Sequence, residues 1–135
     1  MRVKKQPWHR GPVSWVDGND MYISVVFTWQ IHDVRSLASW GKCALRHRVH
    51  IGGPATHVMK KELRDYADVL GGDMPDAVTR HNPDATFASR GCPVGCWFCI
   101  VPSMEGREFT LIDDFVPRPI PVSYTHLTLP TILLV

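Results

Sequence analysis

The sequence predicts an α/β fold with a parallel-sheet N-terminal layer, and three observations support this. Residues 21–28 form an almost continuous apolar run rich in β-branched and aromatic side chains, which indicates a buried strand. Apolar residues then recur at helical spacing, and a second strand and a second amphipathic helix follow. Alternation of strands and helices is typical of a parallel sheet with crossover helices.

The individual elements follow from periodicity and from the positions of Pro and Gly. Residues 1–20 contain several such breakers, so we expect them to be irregular. A connector punctuated by two prolines is expected over residues 73–84. The predicted elements are a strand at 21–28, a helix from Trp29 to about Trp40 ended by Gly41, a strand at 48–51, a helix at 56–70 and a strand at 85–88.

Composition and charge place the chain among ordinary globular proteins. Apolar residues make up 44% of the sequence and charged residues 21%, and the net charge is +2. Basic residues occur only in short pairs, so the sequence carries no clear nucleic-acid signal. Neither a signal peptide nor a run long enough to cross a bilayer is apparent. We therefore expect a cytoplasmic protein without a membrane partner.

The cysteines carry the strongest chemical signal. Of four, Cys92, Cys96 and Cys99 lie within eight residues with the spacing C-x3-C-x2-C, and Cys43 stands alone. Without an export signal, such grouping favours metal or redox chemistry over disulfides. Thiolates select iron–sulfur clusters or zinc over magnesium or calcium. A cubane cluster has one ligand per iron, so three cysteines would leave one iron open to another ligand.

The residues around these cysteines resemble the signature of the radical S-adenosylmethionine (radical SAM) superfamily, C-x3-C-x-aromatic-C. The aromatic position is Phe98, and the flanks Ser89–Pro93 and Ile100–Pro102 are also similar, so the likeness covers about residues 85–106. It implies a [4Fe–4S] cluster on Cys92, Cys96 and Cys99, with S-adenosyl-L-methionine chelating the open iron. Reductive cleavage would then yield methionine and a 5′-deoxyadenosyl radical that abstracts hydrogen from a substrate.

The same resemblance implies further roles. Phe98 would pack near the adenine of the cofactor, and an electron donor such as flavodoxin or ferredoxin would reduce the cluster. Residues 81–121 would be the start of a partial (β/α) barrel whose later strands supply further cofactor contacts. The parent protein would be an enzyme, with its substrate and reaction left open, and the isolated chain is expected to be inactive.

The N-terminal region carries a second, weaker likeness. Val49–Ala55, with its Gly-Gly-Pro turn, resembles the cobalamin-binding-like domains that often precede radical SAM barrels. Such a turn after a strand could also cradle a phosphate or a cofactor tail. The Asp-x-His-x-x-Gly motif that supplies the lower cobalt ligand is absent. We therefore interpret residues 1–80 as a degenerate relative and do not expect cobalamin to bind.

The last fourteen residues, 122–135, are interpreted as a non-native tail. Val122 to Thr131 match the conceptual translation of a transposon-type sequencing adapter codon by codon. A natural apolar terminal strand is the simpler alternative. Leu127–Val135 is too short, and contains Pro130, for a membrane anchor. The adapter interpretation predicts that residues 1–121 are a fragment of a longer natural protein.

Other interpretations of the candidate residues remain open at this point. The three cysteines could join Cys43 or a histidine in a structural zinc site, and Cys43 could complete a cluster used for simple electron transfer. Unligated thiols are a third possibility. Trp97 and Phe98 could equally be core residues, and His47, His50 and His57 favour structural or solvent-exposed roles. Glu105, Asp113 and Asp114 could assist the site, although carboxylates on a loop are usually solvated. Trp8–Arg10 is a candidate contact to a partner or substrate.

Overall fold

The fold is described from a computed structural model, which covers residues 9–72 and 74–112 and the backbone of 120–122. The chain divides into two compact units. Pro7–His81 form the first, and the second contains the chain from Asn82 onward. In the described residues no helix is both long and apolar enough to cross a membrane.

The first unit is built on a four-stranded mixed sheet. Its neighbours follow the order β1-β2-β3-β4; β1 and β2 are antiparallel, whereas β2, β3 and β4 are mutually parallel. The alternating α/β architecture is therefore confirmed for the parallel part. The strands are β1 (Val13–Asp17), β2 (Asp20–Ser24), β3 (Arg48–Gly52) and β4 (Val69–Leu70).

Strand β1 corrects two expectations, since residues 1–20 were expected to be irregular and the sheet to be parallel. A two-residue connection between Asp17 and Asp20 folds β1 back onto β2, and Gly18 has a φ of +59° there. Only glycine adopts such a conformation readily, so Gly18-Asn19 is the missed hairpin signal. The side chain of Trp15 is buried in this strand, which supplies the apolar contact that holds the hairpin.

Strand β2 is also shorter than predicted, because the chain turns before Thr28. Residues Thr28–Gln30 form one turn of 3-10 helix. The buried amide side chain of Gln30 accepts a hydrogen bond from the Phe27 N–H and donates one to the Arg10 carbonyl. Satisfying a buried amide in this way offsets its desolvation, and it draws the end of the strand into a turn.

The described residues of this unit form four α-helices: α1 (Ile31–Cys43), α2 (Pro54–Val58), α3 (Lys60–Leu63) and α4 (Ala77–His81). Helix α1 runs past Gly41, where its end was predicted. Gly41 is buried, and a Cβ there would collide with the sulfur of Met21. The glycine therefore permits a close approach of α1 to β2 and does not end the helix.

The single helix predicted over 56–70 is wrong: the segment contains two short helices, and its last two residues form strand β4. Helix α4 lies in the predicted connector. Met59 leaves the helical conformation between α2 and α3. After Leu63 the chain turns, because the Asp68 carboxylate accepts a hydrogen bond from the Val49 N–H and the Asp68 N–H donates to the Val49 carbonyl. Asp68 thus anchors the chain to β3 before β4 begins.

One face of the sheet carries the apolar core. Alternate residues of β2 and β3 pack there against α1, α2 and α3. The core residues are Met21, Ile23, Val25, Val34, Ala38, Val49, Ile51, Ala55 and Leu63. The other face is aromatic and polar, with Trp15, Tyr22 and His50 stacked across three strands and the Arg80 guanidinium 4.6 Å from the Trp15 ring centre.

The second unit contains short elements around the cysteines. Strand β5 (Ala85–Phe87) pairs in parallel with β8 (Ile120–Val122), β6 (Ser89–Arg90) pairs antiparallel with β7 (Thr110–Leu111), and α5 spans Val101–Glu105. The described residues show no barrel. Of the expected non-native tail, Val122 pairs with Phe87; residues 123–135 lie outside the described residues.

Candidate metal centre

The three clustered cysteines lie on one connection, here called the cysteine loop (residues 91–100), which joins β6 to α5. Cys92 follows β6 after Gly91 and is buried. Cys96 and Cys99 are half-buried, and the Cys99 N–H donates to the Cys96 carbonyl at 3.0 Å. Those two cysteines therefore stand at the two ends of a single turn.

The loop depends on glycine at two positions. Gly91 has a φ of +75° and Gly95 a φ of +65°, both in the left-handed region. A Cβ at Gly91 would also collide with the Glu108 carbonyl oxygen. A side chain at Gly91 would thus push apart the two chain segments that enter and leave the loop.

The donor set fits a soft metal or an iron–sulfur cluster by its chemistry, because all three side chains are thiols. Among the described residues, however, no three His, Cys, Asp or Glu side chains form a group that could hold a metal ion. The three sulfurs are thus on one short loop but are not gathered around a common point. Cluster ligation would require rotation of these side chains or movement of the loop.

Phe98 and the neighbouring Trp97 are both exposed, with 72% and 94% of their surface accessible. Their rings meet edge to face at 5.5 Å between centres. The alternative that these two aromatics are core residues is therefore wrong. An exposed ring of this kind is available to stack on a flat ligand.

Two charged residues at the base of the cysteine loop were missed as partners by sequence reasoning. Glu105 was expected to be solvent-exposed, but its side chain is only 6% accessible and its Oε2 lies 3.1 Å from Arg90 Nε. The same oxygen accepts a hydrogen bond from the Gly91 N–H at 3.3 Å. A charged pair separated by fifteen residues has no periodic signal, so the sequence offered no basis for pairing them. Asp113 and Asp114 lie outside the described residues.

The other candidate ligands belong to the first unit. Cys43 is exposed at the end of α1. His50 Nε2 lies 2.7 Å from Asp20 Oδ1, and its ring stacks on Tyr22, which is a structural contact. Nothing in the described residues gathers His47, His50 and His57 around a metal. Of Trp8–Arg10, only His9 and Arg10 are described.

The Gly-Gly-Pro turn lies at the carboxyl end of β3 but does not form a phosphate cradle. Gly53 has a φ of +102°, and a Cβ there would collide with the Val25 carbonyl oxygen. That oxygen accepts a hydrogen bond from the Ala55 N–H, and the Gly53 carbonyl accepts one from the Thr56 N–H. Two N–H groups of the first turn of α2 are thus used internally. The turn packs the loop after β2 against β3.

A buried histidine, His81, was missed near the same edge of the sheet. Its Nε2 lies 3.0 Å from Ser24 Oγ, and both residues are buried. Burial lowers the pKa of His81, and the nearby His9 lowers it further. The sequence predicted a connector over these residues, so it gave no sign that His81 would be a buried residue at the end of a helix.

Comparison of the chain with protein-family models, with curated proteins and with solved structures finds no match. Any function for this chain therefore has to be argued from its own residues.

Proposed function

We propose that this chain holds a [4Fe–4S] cluster through Cys92, Cys96 and Cys99, and that the intact parent protein cleaves S-adenosylmethionine reductively. The observation that carries the proposal is the C-x3-C-x-aromatic-C spacing on one loop. Three thiolates leave one iron of a cubane without a protein ligand. An amino acid-like cofactor with free amino and carboxylate groups is the ligand that the resemblance assigns to that iron.

The form of the loop supports the proposal. Backbone N–H groups near cluster sulfurs tune its potential, and the turns at Gly91 and Gly95 keep the backbone close to the cysteines. Burial of Cys92 gives one ligand a water-poor environment, while Cys96 and Cys99 stay accessible to an incoming cluster. When bound, the cluster would supply the electron that breaks a carbon–sulfur bond of the cofactor.

Phe98 is proposed as the residue that contacts the adenine. Its ring is exposed, next to Cys99 and on the same loop. Stacking of a flat heterocycle on such a ring is favourable and needs no hydrogen-bond partner. Trp97, its exposed neighbour on the same loop, serves as a control for this role.

A zinc-stabilised binding module uses the same thiols and is the competing function. Zinc would need a fourth ligand, from Cys43 or a histidine. Cys43 and the histidines considered above lie in the first unit, whereas the three clustered cysteines lie in the second. The [4Fe–4S] cluster needs no ligand from the first unit, so replacement of Cys43 should leave it intact.

The test is a cysteine variant series of the full chain, reconstituted anaerobically with iron and sulfide in the presence of zinc. The proposal predicts about four irons and four sulfides per chain, as in a cubane. Cys92→Ala, Cys96→Ala and Cys99→Ala should each lose most of the iron, and Cys43→Ala should retain it. Stoichiometric zinc without iron, or loss of the metal in Cys43→Ala, would refute the proposal.

A further inference from the structure

Glu105 holds the two ends of the cysteine loop together through its carboxylate. It is the last residue of α5, after the last cysteine, and it contacts the two residues that precede the first cysteine. Its Oε2 is 3.1 Å from Arg90 Nε and 3.3 Å from the Gly91 nitrogen. With 6% of its side chain accessible, this carboxylate depends on these partners in place of water.

Arg90 is itself held in place from the other side. Its guanidinium carbon lies 4.3 Å from the centre of the Phe87 ring, in strand β5. A guanidinium over an aromatic face is attracted by the ring, and its planar group keeps one orientation. Phe87, Arg90 and Glu105 therefore form a row of contacts at the base of the loop.

Backbone contacts also join the two ends of the cysteine loop. The Cys92 N–H donates to the Gly106 carbonyl at 3.3 Å, and Arg90 pairs with Thr110 between β6 and β7. The glycine at position 91 is required there because any Cβ would collide with the Glu108 carbonyl oxygen. Side-chain and backbone contacts thus fix Cys92 to the segment that leaves the loop.

From this geometry we propose that Glu105 is a positioning residue for Cys92, the first thiolate of the cluster. By joining Arg90 and Gly91 to α5, it keeps Cys92 buried and at a defined place relative to Cys96 and Cys99. The metal-binding part of this inference rests on the proposed function. The burial of Cys92 does not, and it can be measured in protein that contains no metal.

The experiment measures the alkylation rate of each cysteine in the reduced, metal-free full chain, by mass spectrometry of the modified peptides. Cys43, in the first unit, is the internal reference. In Glu105→Ala the rate at Cys92 should rise about tenfold relative to Cys43, because local opening of the loop becomes easier. Glu105→Gln, which keeps an acceptor oxygen, should give a smaller rise. Glu108→Ala removes an exposed carboxylate nearby and should change nothing.

A double variant tests whether Glu105 acts through Arg90. If the two residues work as one unit, Arg90→Ala combined with Glu105→Ala should raise the Cys92 rate no more than either change alone. An unchanged Cys92 rate in both Glu105→Ala and Glu105→Gln would overturn the inference. If Glu105→Ala unfolds the chain, which its far-ultraviolet circular dichroism reports, the Glu105→Gln result decides.

Anaerobic reconstitution with iron and sulfide separates this inference from the proposed function. The unaltered chain should hold about four irons, and Glu105→Ala should lose the reconstituted cluster to an iron chelator about tenfold faster. An equal rate of loss in Glu105→Ala and the unaltered chain would overturn the metal-positioning role. A failure of the unaltered chain to take up iron would count against the proposed function, while the alkylation rates would still decide whether Glu105 positions Cys92.

Discussion

His81 Nε2 lies 3.0 Å from Ser24 Oγ, where helix α4 meets the end of strand β2. Both side chains are buried, and the backbone N–H of His9 donates to the His81 carbonyl. The contact joins the last turn of the first unit to its sheet. Because an imidazolium would have to be desolvated here, burial lowers the pKa of His81 below its usual 6.5.

The lowered pKa predicts a loss of stability in weak acid. Between the folded-state pKa and about 6.5, unfolded chains bind more protons at this site than folded ones, so stability falls as the pH falls. Above about pH 7.5 the contribution should be constant. Urea unfolding between pH 5 and pH 8, followed by tryptophan fluorescence, measures this.

The matched variant for that prediction is His81→Gln, whose amide cannot be protonated in this range. The difference in unfolding free energy between the variant and the unaltered chain should depend on pH between the folded-state pKa and about 6.5. Asp68 does not interfere, because its pKa is lowered, chiefly by the Val49 N–H, and it titrates in stronger acid. A pH-independent difference would contradict the assignment.

Gly53→Ala should strongly destabilise the first unit. The substitution adds the strain of a φ of +102° and a collision with the Val25 carbonyl oxygen. We expect a loss of about 2–4 kcal/mol in unfolding free energy. Gly18→Ala is the control: its φ is +59° and no atom lies within 4 Å of the added Cβ, so only the smaller strain of a left-handed residue, about 1–2 kcal/mol, is expected. Equal losses in the two variants would contradict the claim that the backbone conformation and the close contact at Gly53 require glycine.

Truncation of the core should be costly at Ile51 and nearly neutral at Val58. Ile51 is fully enclosed between the sheet and its helices, so Ile51→Ala should cost about 2–5 kcal/mol. Val58 lies on α2 with 65% of its surface exposed, and Val58→Ala should stay within about 0.5 kcal/mol. Chemical denaturation of the two variants compares them directly. Similar losses of unfolding free energy in the two variants would contradict the burial of Ile51 in the core.

Phe98→Ala should separate cofactor binding from cluster binding. The proposed role predicts unchanged iron and sulfide content but weaker binding of S-adenosylmethionine, by about 1–3 kcal/mol for a lost stacking contact. Trp97→Ala should change neither. Equilibrium dialysis of the reconstituted variants measures the affinity. If Phe98→Ala loses iron as well, the residue supports the loop and does not contact the cofactor.

Two of the three parallel strands, β2 and β3, were predictable because they have strong local signals, whereas β4 lies where a helix was predicted. The run at 21–28 and the helical spacing from Ile31 onward located β2, α1 and β3 to within a few residues. The hairpin strand β1 was missed because Pro and Gly were taken as evidence of irregular structure. The turn after Leu63 and the short helix α4 are accompanied by tertiary contacts of Asp68 and His81, which no local pattern encodes.

The candidate site also has features that the sequence predicts and features that depend on the fold. The cysteine spacing is local, so the loop was recognisable from the sequence. Arg90 and Glu105 meet only because β6 and α5 bring the two ends of the loop together. The exposure of Phe98 and Trp97 also depended on the fold, since aromatic residues beside a cysteine fit a core equally well.

The proposed cluster is tested most directly by electron paramagnetic resonance of the reconstituted, reduced full chain, recorded before and after addition of S-adenosylmethionine. A cluster held by three cysteines should give the signal of a reduced [4Fe–4S] centre and a change of that signal when the cofactor occupies the open iron. A chain that holds zinc without iron, or a cluster signal that the cofactor leaves unchanged, would contradict the proposed function.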